Sequence, residues 1–300
     1  MSEDLLLSLC IPTNGVSEWV FPVLDSIYDG NEEGSEFEVI VTDNGNNQDF
    51  ETKMNSYCDL HSNLVYKKTN AVQFLNQIEA FKLAKGTLIK FVNHRQKVLP
   101  GAIEYLLSFV RDNKMDKPIV FFMNEAQKGK GGVDRYSSFD EYVRGLGVMS
   151  SWSGGTAMWK SDFEKMNLEN AFNQLFPHTD MIFAEKNRTN YIIEHKKLFE
   201  EIEVDDTKKG RYNLFNAFAI EYVSIILDLY RNGYVSKSTF IDVKRENAEF
   251  IAQLYYKYLI RKQPCSYDLS EFDESIKFFY SKGEIRGALF RVIRKTIIGK

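Results

Sequence analysis

The sequence predicts an α/β fold: a mainly parallel sheet with helices on both faces, followed by a helical C-terminal region. Three observations predict it. Over the first half of the chain, short apolar runs alternate with segments whose apolar residues recur at helical spacing. Several of those runs are β-branched and end in turn chemistry, as in "FEVIVTDNG". After "DDTKKGRY" the strand-like runs cease and the apolar residues fall on helical stripes. Strand and helix alternating in this way favour parallel strands, because each crossover lays a helix back over the sheet.

The elements follow in order. "LLLSLCIP" is an apolar strand ended by Pro12, and "EWVFPVLDSIY" a helix. "FEVIVTDNG" is a second strand running into a turn, and "LVYKK" a weaker third. "AVQFLNQIEAFKLAKG" reads as a helix with a glycine stop, "TLIKFVN" as a strand, "GAIEYLLSFVRDN" as a helix and "PIVFFMN" as a strand. "EAQKGKGGVDRYSSFDEYVRGLG" breaks the pattern, and its glycines and lysines predict a mobile loop before a short helix. "WSGGTAMW" is a strand entered through two glycines, "TDMIFAEKN" a helix, "YIIEH" and "LFEEIEV" short strands. Beyond Tyr212, Phe215, Phe218, Ala219, Tyr222, Ile226 and Leu229 share one helical stripe, and helix continues to the end.

Composition excludes several classes. A net charge of −4 over 300 residues argues against a dedicated nucleic-acid binder, which needs a concentrated basic surface. Cys10, Cys58 and Cys265 are far apart, without zinc-site or disulfide-framework spacing. The N-terminal segment lacks a basic region and a small-residue cleavage site, and no run of about 18 apolar residues exists. The expected location is the cytoplasm. A 44% apolar content is enough for one large core with a helical annex.

Parallel sheets bind ligands beyond the carboxyl ends of their strands. The residues to read are therefore Pro12, Thr13, Asn14, Asp43, Asn44, Asn93, His94 and Arg95. Four segments there and downstream carry a resemblance: "SLCIPTNG", "VIVTDNGNNQDF", "GTLIKFVNHRQKVLPGAIEYLL" and "HTDMIFAEK". In order and separation they resemble family 2 glycosyltransferases of the GT-A fold, the type that assembles bacterial surface polysaccharides. The resemblance reaches to about Tyr212. It implies a transferase domain over residues 1–212, with a nucleotide-sugar half (1–123) and an acceptor half (124–212), and a helical region over 213–300.

The resemblance also implies roles. Asp43 would accept the imide N–H of uracil or thymine, with Pro12, Thr13, Asn14 and Asn44 flanking the base. Asn14 stands where the family has tyrosine. The plainer reading of Asp43 is a turn-former in "DNG". Where the family carries metal-binding aspartates, this chain has His94, Arg95 and Gln96, preceded by Asn93. Magnesium and manganese want hard anionic oxygens, so no divalent metal or other cofactor is expected here. The departing diphosphate still needs positive charge, which Arg95 could supply bidentately, helped by His94 and by Lys208, Lys209 and Arg211 in a mobile loop. Alternatively Arg95 caps a strand, or the site is a non-catalytic relic.

Position in the chain suggests Asp180 as the base that takes the acceptor proton, with His178 as understudy. A helix-terminal acid is the bland alternative. Gly154 and Gly155 would let backbone approach an acceptor sugar and Trp152 would offer it a flat face; a glycine bulge beside a core tryptophan explains them equally. In the tail, Ile285, Ala288, Leu289, Val292, Ile293 and Thr296 form a stripe beside Arg286, Arg291, Arg294 and Lys295. That pattern suits either peripheral contact with an anionic membrane or packing on the domain. The combined expectation is an inverting transferase that moves a sugar from a UDP or dTDP donor to a hydroxyl of a lipid-linked glycan, at the inner face of the cell membrane. Its rivals are a nucleotide-sugar-binding partner without catalysis and a nucleotidyltransferase. The latter would need a glycine- and lysine-rich loop that "IPTNGVSEW" lacks.

Overall fold

The computed structural model describes residues 4–29, 35–127, 131–168, 172–203 and 205–298. The chain forms two compact units, one of Met1–Ser138 with Trp152–Ile202, the other of Phe139–Ser151 with Glu203–Lys300. In the first unit the strands are, in chain order, β1 (Leu7–Thr13), β2 (Phe37–Asp43), β3 (Leu64–Lys68), β4 (Leu88–Phe91), β5 (Gln96–Val98), β6 (Ile119–Phe122), β7 (Val133–Tyr136), β8 (Ala157–Trp159), β9 (Tyr191–Glu194) and β10 (Phe199–Glu201). The helices that follow the first four strands' pattern are α1 (Ser17–Tyr28), α2 (Gln48–Cys58), α3 (Asn76–Leu83) and α4 (Ala102–Asn113).

The main sheet runs β3-β2-β1-β4-β8, parallel except for β8. Successive residues of its central strands face opposite sides, and both sides are covered. Leu7, Leu9, Ile11, Val39, Val41 and Leu88 share a core with Val20 and Leu24 of α1, Phe50 of α2 and Leu106 of α4. Cys10, Ile40, Ile89 and Phe91 share a second core with Ile78 and Phe81 of α3 and with Met158 and Met181. Burial on two faces is why these strands read as unbroken apolar runs. Beside them, β6-β9-β7 form a three-stranded sheet and β5-β10 an antiparallel pair.

Three segments differ from the sequence reading. The segment expected as a loop contains β7, antiparallel to β9, whose side chains alternate between exposed and half-buried. A polar edge strand of this kind carries no apolar signal; residues 128–130 lie outside the described residues. The helix read in "TDMIFAEKN" is Pro177–Ile182, begun by its proline and finished before Ala184. Phe139–Ser151, placed by the sequence reading in the acceptor half, packs with the helical unit. Its Asp140 accepts the Ser236 N–H (2.7 Å), and Ser150 and Tyr222 share a hydroxyl hydrogen bond (2.8 Å).

In the helical unit, Phe215, Ala219, Val223, Ala248, Ile251, Ala252 and Ile276 form the core together with Ile285, Ala288 and Val292 of the helix Lys282–Ile298. The tail's apolar stripe is thus covered by the helix Lys237–Tyr255 and its neighbours, and Arg291 and Lys295 pair with Glu249 (2.8 and 3.4 Å). That stripe is a packing surface, the second of the two roles its pattern suited. Among the described residues no helix is long and apolar enough to cross a membrane.

Lys90, in β4, has no exposed surface. Its ammonium donates to the carbonyls of Phe91 (2.8 Å) and Gly154 (2.6 Å), lies 3.4 Å from that of Thr156, and sits against the rings of Phe122 and Phe199. It ties the end of β4 to the turn that enters β8. Burial pushes its pKa down from 10.5 to about 7. Between those values the folded protein binds fewer protons than the unfolded chain, so stability rises with pH through that window. Below it both states are charged, and above it both are neutral. The stability of the wild type relative to Lys90→Met is therefore expected to increase across the window, measured by urea unfolding at its two ends. A difference that does not change with pH would show that the buried amine keeps its ordinary proton affinity.

Candidate functional site

The register of the parallel strands brings their ends together. Thr13 lies opposite Asp43, and Cys10 opposite Phe91, so the chain leaves β1, β2 and β4 on one rim. Asn76, at the start of α3 and buried, fastens two of these ends. Its Nδ2 donates to the carbonyls of Thr13 (3.1 Å) and Thr42 (2.8 Å), and its Oδ1 accepts from Thr69 Oγ1 (2.8 Å). The turns beyond the two strands touch backbone to backbone: a Cβ on Gly45 would stand 2.0 Å from the Asn14 carbonyl oxygen. Only glycine allows this approach. Asn47 caps α2 through the Phe50 N–H and donates to the Gly15 carbonyl (3.0 Å), closing the same corner.

Asp43 is the buried hub of this rim. Its Oδ1 accepts the Gly45 N–H (2.7 Å), while Oδ2 accepts from Tyr66 Oη (3.0 Å) and Lys68 Nζ (2.9 Å). Lys68 also reaches the Gly45 carbonyl. The side chain thus has the turn-forming arrangement, with no exposed surface of its own. A base imide could reach it only after Lys68 or Tyr66 moved aside. Asn44 is half-buried and donates to the carbonyls of Ala71 (2.9 Å) and Gln73 (3.0 Å). Pro12 is half-buried, Thr13 buried and Asn14 exposed.

The turn after β4 holds the side chains that distinguish this site. The His94 Nδ1 lies 2.9 Å from Thr13 Oγ1, which also accepts the Gly15 N–H (3.2 Å). Its ring meets Trp19 of α1 edge-on at 5.1 Å. Desolvation, and then the charge of Arg95, push the His94 pKa down to about 3, so the imidazole is neutral near pH 7. Arg95 donates to Asn93 Oδ1 from both its backbone N–H (3.1 Å) and its Nε (3.3 Å), and its guanidinium lies over Trp19, 5.5 Å from the ring centroid. A cation over an aromatic face at a partly exposed site contributes about 0.5–1 kcal/mol. The two terminal guanidinium nitrogens have no partner among the described residues. Arg95 is therefore held from behind with its bidentate edge free.

These residues do not fit a divalent metal. Asn93 Oδ1 already accepts two N–H groups, His94 is engaged with Thr13, Gln96 is buried and Arg95 carries positive charge. Among the described residues, no group of three or more His, Cys, Asp or Glu side chains could hold a metal ion.

The acceptor-side residues are placed as follows. Asp180 is half-buried in the helix Pro177–Ile182; its Oδ2 accepts the Asn173 N–H (2.7 Å). Desolvation raises its pKa, opposed by that hydrogen bond and by the charge of Lys186. His178 is 4% exposed and packs edge-on against Phe176. Gly154 and Gly155 are buried, and their missing Cβ volume is taken by the rings of Trp152 and Phe121, at 2.4 and 2.1 Å. These glycines make room for the protein's own aromatics, the packing role that the sequence allowed beside a sugar-facing one. Trp152 is half-buried, edge-on to Phe121. Lys208, Lys209 and Arg211 belong to the second unit. Lys209 pairs with Asp206 (2.6 Å), which also holds Lys257 (2.6 Å) and Tyr258 (3.0 Å), while Lys208 and Arg211 are exposed. The segment expected as a mobile loop is anchored, because Ser266 donates to the Lys209 carbonyl (2.6 Å).

Comparison with known proteins adds the fold. The sequence matches no family model and no curated protein. Among solved structures, S. aureus TarS 1–349 in complex with UDP superposes with a TM-score of 0.58 at 13% identity, over 98% of this chain and 92% of that one. TarS is of the GT-A type. The chain has the GT-A fold. Against the longer TarS structure the TM-score is 0.51 at 13% identity, covering 85% of this chain; the match spans 43% of that protein's length. A mannosyltransferase from Pyrobaculum calidifontis, solved with GDP-Man and Mn²⁺, gives 0.50 at 13% identity, over 98% and 87% of the two chains.

Within this GT-A sheet, sequence reading found the strand-end residues but not their supports. Trp19, Tyr66, Lys68 and Asn76 lie on other elements and look like ordinary helix and strand residues. Only the capping Asn47 before α2 carried a recognisable local signal. The His94 imidazole is expected to stay neutral through about pH 5–8, where a free histidine titrates. Its NMR resonances should show no inflection there, and Arg95→Ala, by removing one of the two causes, should raise its pKa. An inflection near 6.5 in the wild type would overturn this account of the site.

Proposed function

We propose that the protein is an inverting glycosyltransferase that moves a sugar from a nucleotide diphosphate donor, UDP or dTDP, to a glycan hydroxyl in surface-polysaccharide synthesis. The observation that carries this reading is Arg95, stacked on Trp19 and held by Asn93, with its terminal nitrogens free at the strand ends of a GT-A sheet. A planar guanidinium edge pairs bidentately with two phosphate oxygens, and its charge is permanent. It stabilises the negative charge that builds on the leaving diphosphate, which is the largest demand of the reaction. A nucleoside diphosphate donor accords with the neighbours, since TarS was solved with UDP and the mannosyltransferase with GDP-Man.

In this reading Asp180 takes the proton of the acceptor hydroxyl as that oxygen attacks the anomeric carbon. The bond to the diphosphate breaks on the opposite face, so configuration inverts. Desolvation of Asp180 raises its proton affinity, which suits a general base. Thr13 and neutral His94 line the base and phosphate side without adding charge. The reaction proceeds without a divalent metal, and the acceptor is lipid-linked, reached at the inner face of the cell membrane. A second reading, a nucleotide-sugar-binding partner without catalysis, is favoured by the absence of any acid in the turn from Asn93 to Gln96. Donor hydrolysis by the purified protein separates the two.

Arg95→Ala is expected to weaken UDP binding about 10–100-fold, the worth of one charge-assisted hydrogen bond, while changing uridine affinity little. Arg95→Lys should restore part of it, being a point charge without the fork. Equal loss of UDP and uridine affinity by calorimetry would remove Arg95 from the diphosphate.

Turnover is expected to survive EDTA. Asp180→Asn should leave donor binding intact and slow transfer roughly 10²–10⁴-fold. Activity that collapses with chelator and returns with Mn²⁺ would sink the metal-free mechanism, and full activity in Asp180→Asn would move the base elsewhere.

A further inference from the structure

The helix Lys282–Ile298 buries one side, and what it leaves outward is unusual. Phe290 and Ile297 are 69% and 68% exposed. Together with Lys282, Arg286 and Arg294, also exposed, they recur at three- and four-residue spacing and so share one outward face. None of those three cations is in an ion pair among the described residues, whereas Arg291 and Lys295, to the side, are held by Glu249. The one acid of the helix, Glu284, pairs with Lys244 (3.1 Å) and accepts the Ser281 N–H, away from this face. The outward face is therefore two large apolar side chains among three free positive charges, with no acid.

We propose that this outward face docks on an anionic lipid surface. Two apolar side chains can enter the headgroup boundary while flanking arginines meet lipid phosphates, the pattern of an interfacial helix. Charge complementarity favours this occupant. Each basic residue near an anionic surface contributes attraction that an uncharged protein face would not return. The face is opposite the stripe that the sequence alone pointed to, because that stripe is consumed by the helical unit's core. The inference rests on the second unit alone, so lipid binding and the transfer reaction proposed above can fail separately.

The test uses the full chain and co-sedimentation with vesicles of phosphatidylcholine, with and without phosphatidylglycerol. Binding is expected only with phosphatidylglycerol, and it should weaken as salt rises. Arg286→Gln with Arg294→Gln should lower the partition coefficient about 25-fold, since each basic residue near the surface is worth about fivefold. Phe290→Ser with Ile297→Ser should lower it on the order of tenfold. All four positions are exposed, so the thermal midpoints of the variants should match the wild type, and Met115→Ser, at an exposed apolar residue of the first unit, should bind as the wild type does. No binding to phosphatidylglycerol vesicles, or equal binding by the double variants, would overturn the proposal. So would a self-associated wild type that Phe290→Ser with Ile297→Ser renders monomeric in ultracentrifugation, since the face would then be an interface between copies.

Discussion

The parallel pairing of β1 with β2 on one side and β4 on the other is the constraint on which the rest depends. Because β1 is hydrogen-bonded along both edges and covered on both faces, its register can hardly slip. A shift by one residue would turn Leu7, Leu9 and Ile11 from one core toward the other. That register sets Thr13 beside Asp43 and brings the turn after β4 to the same rim. Asn76 and the Gly45–Asn14 approach then hold the rim at a spacing that no larger residue permits.

On that rim the side chains of one turn set the local electrostatics. A divalent cation held by aspartates needs anionic oxygens brought together. Here the turn carries an amide, an imidazole kept neutral and a guanidinium, and the positive charge is covalently part of the chain. The consequences are coupled. Arg95 lowers the proton affinity of His94, and Trp19 supports both side chains. Lys90 adds a second fixed group beneath the end of β4, bound by main-chain carbonyls rather than by a carboxylate.

The helical unit shows how one amphipathic pattern can be spent twice. The stripe of Ile285, Ala288 and Val292 closes its core, and the helix's basic residues divide into Arg291 and Lys295, paired with Glu249, and those left outward. In sequence these basic residues are equivalent. Tertiary packing separates them, because whether a charge is free depends on which acids of other helices come within reach.

The sequence by itself determined the alternation of strands and helices, the residues at the strand ends, the missing acids after β4 and the helical character of the tail. These are local or periodic properties: apolar spacing selects the element, and turn residues mark where it stops. What only the tertiary structure decided is how those residues are occupied. Asp43 is covered by Tyr66 and Lys68, the space at Gly154 and Gly155 is filled by Trp152 and Phe121, and Lys209 is taken by Asp206. Phe139–Ser151 joins the helical unit, and β7 pairs at an edge despite lacking an apolar pattern. In each case the partner is remote in the chain or the signal is polar. Burial and pairing arise from contacts between distant segments, and a one-dimensional pattern carries no record of which segments will meet.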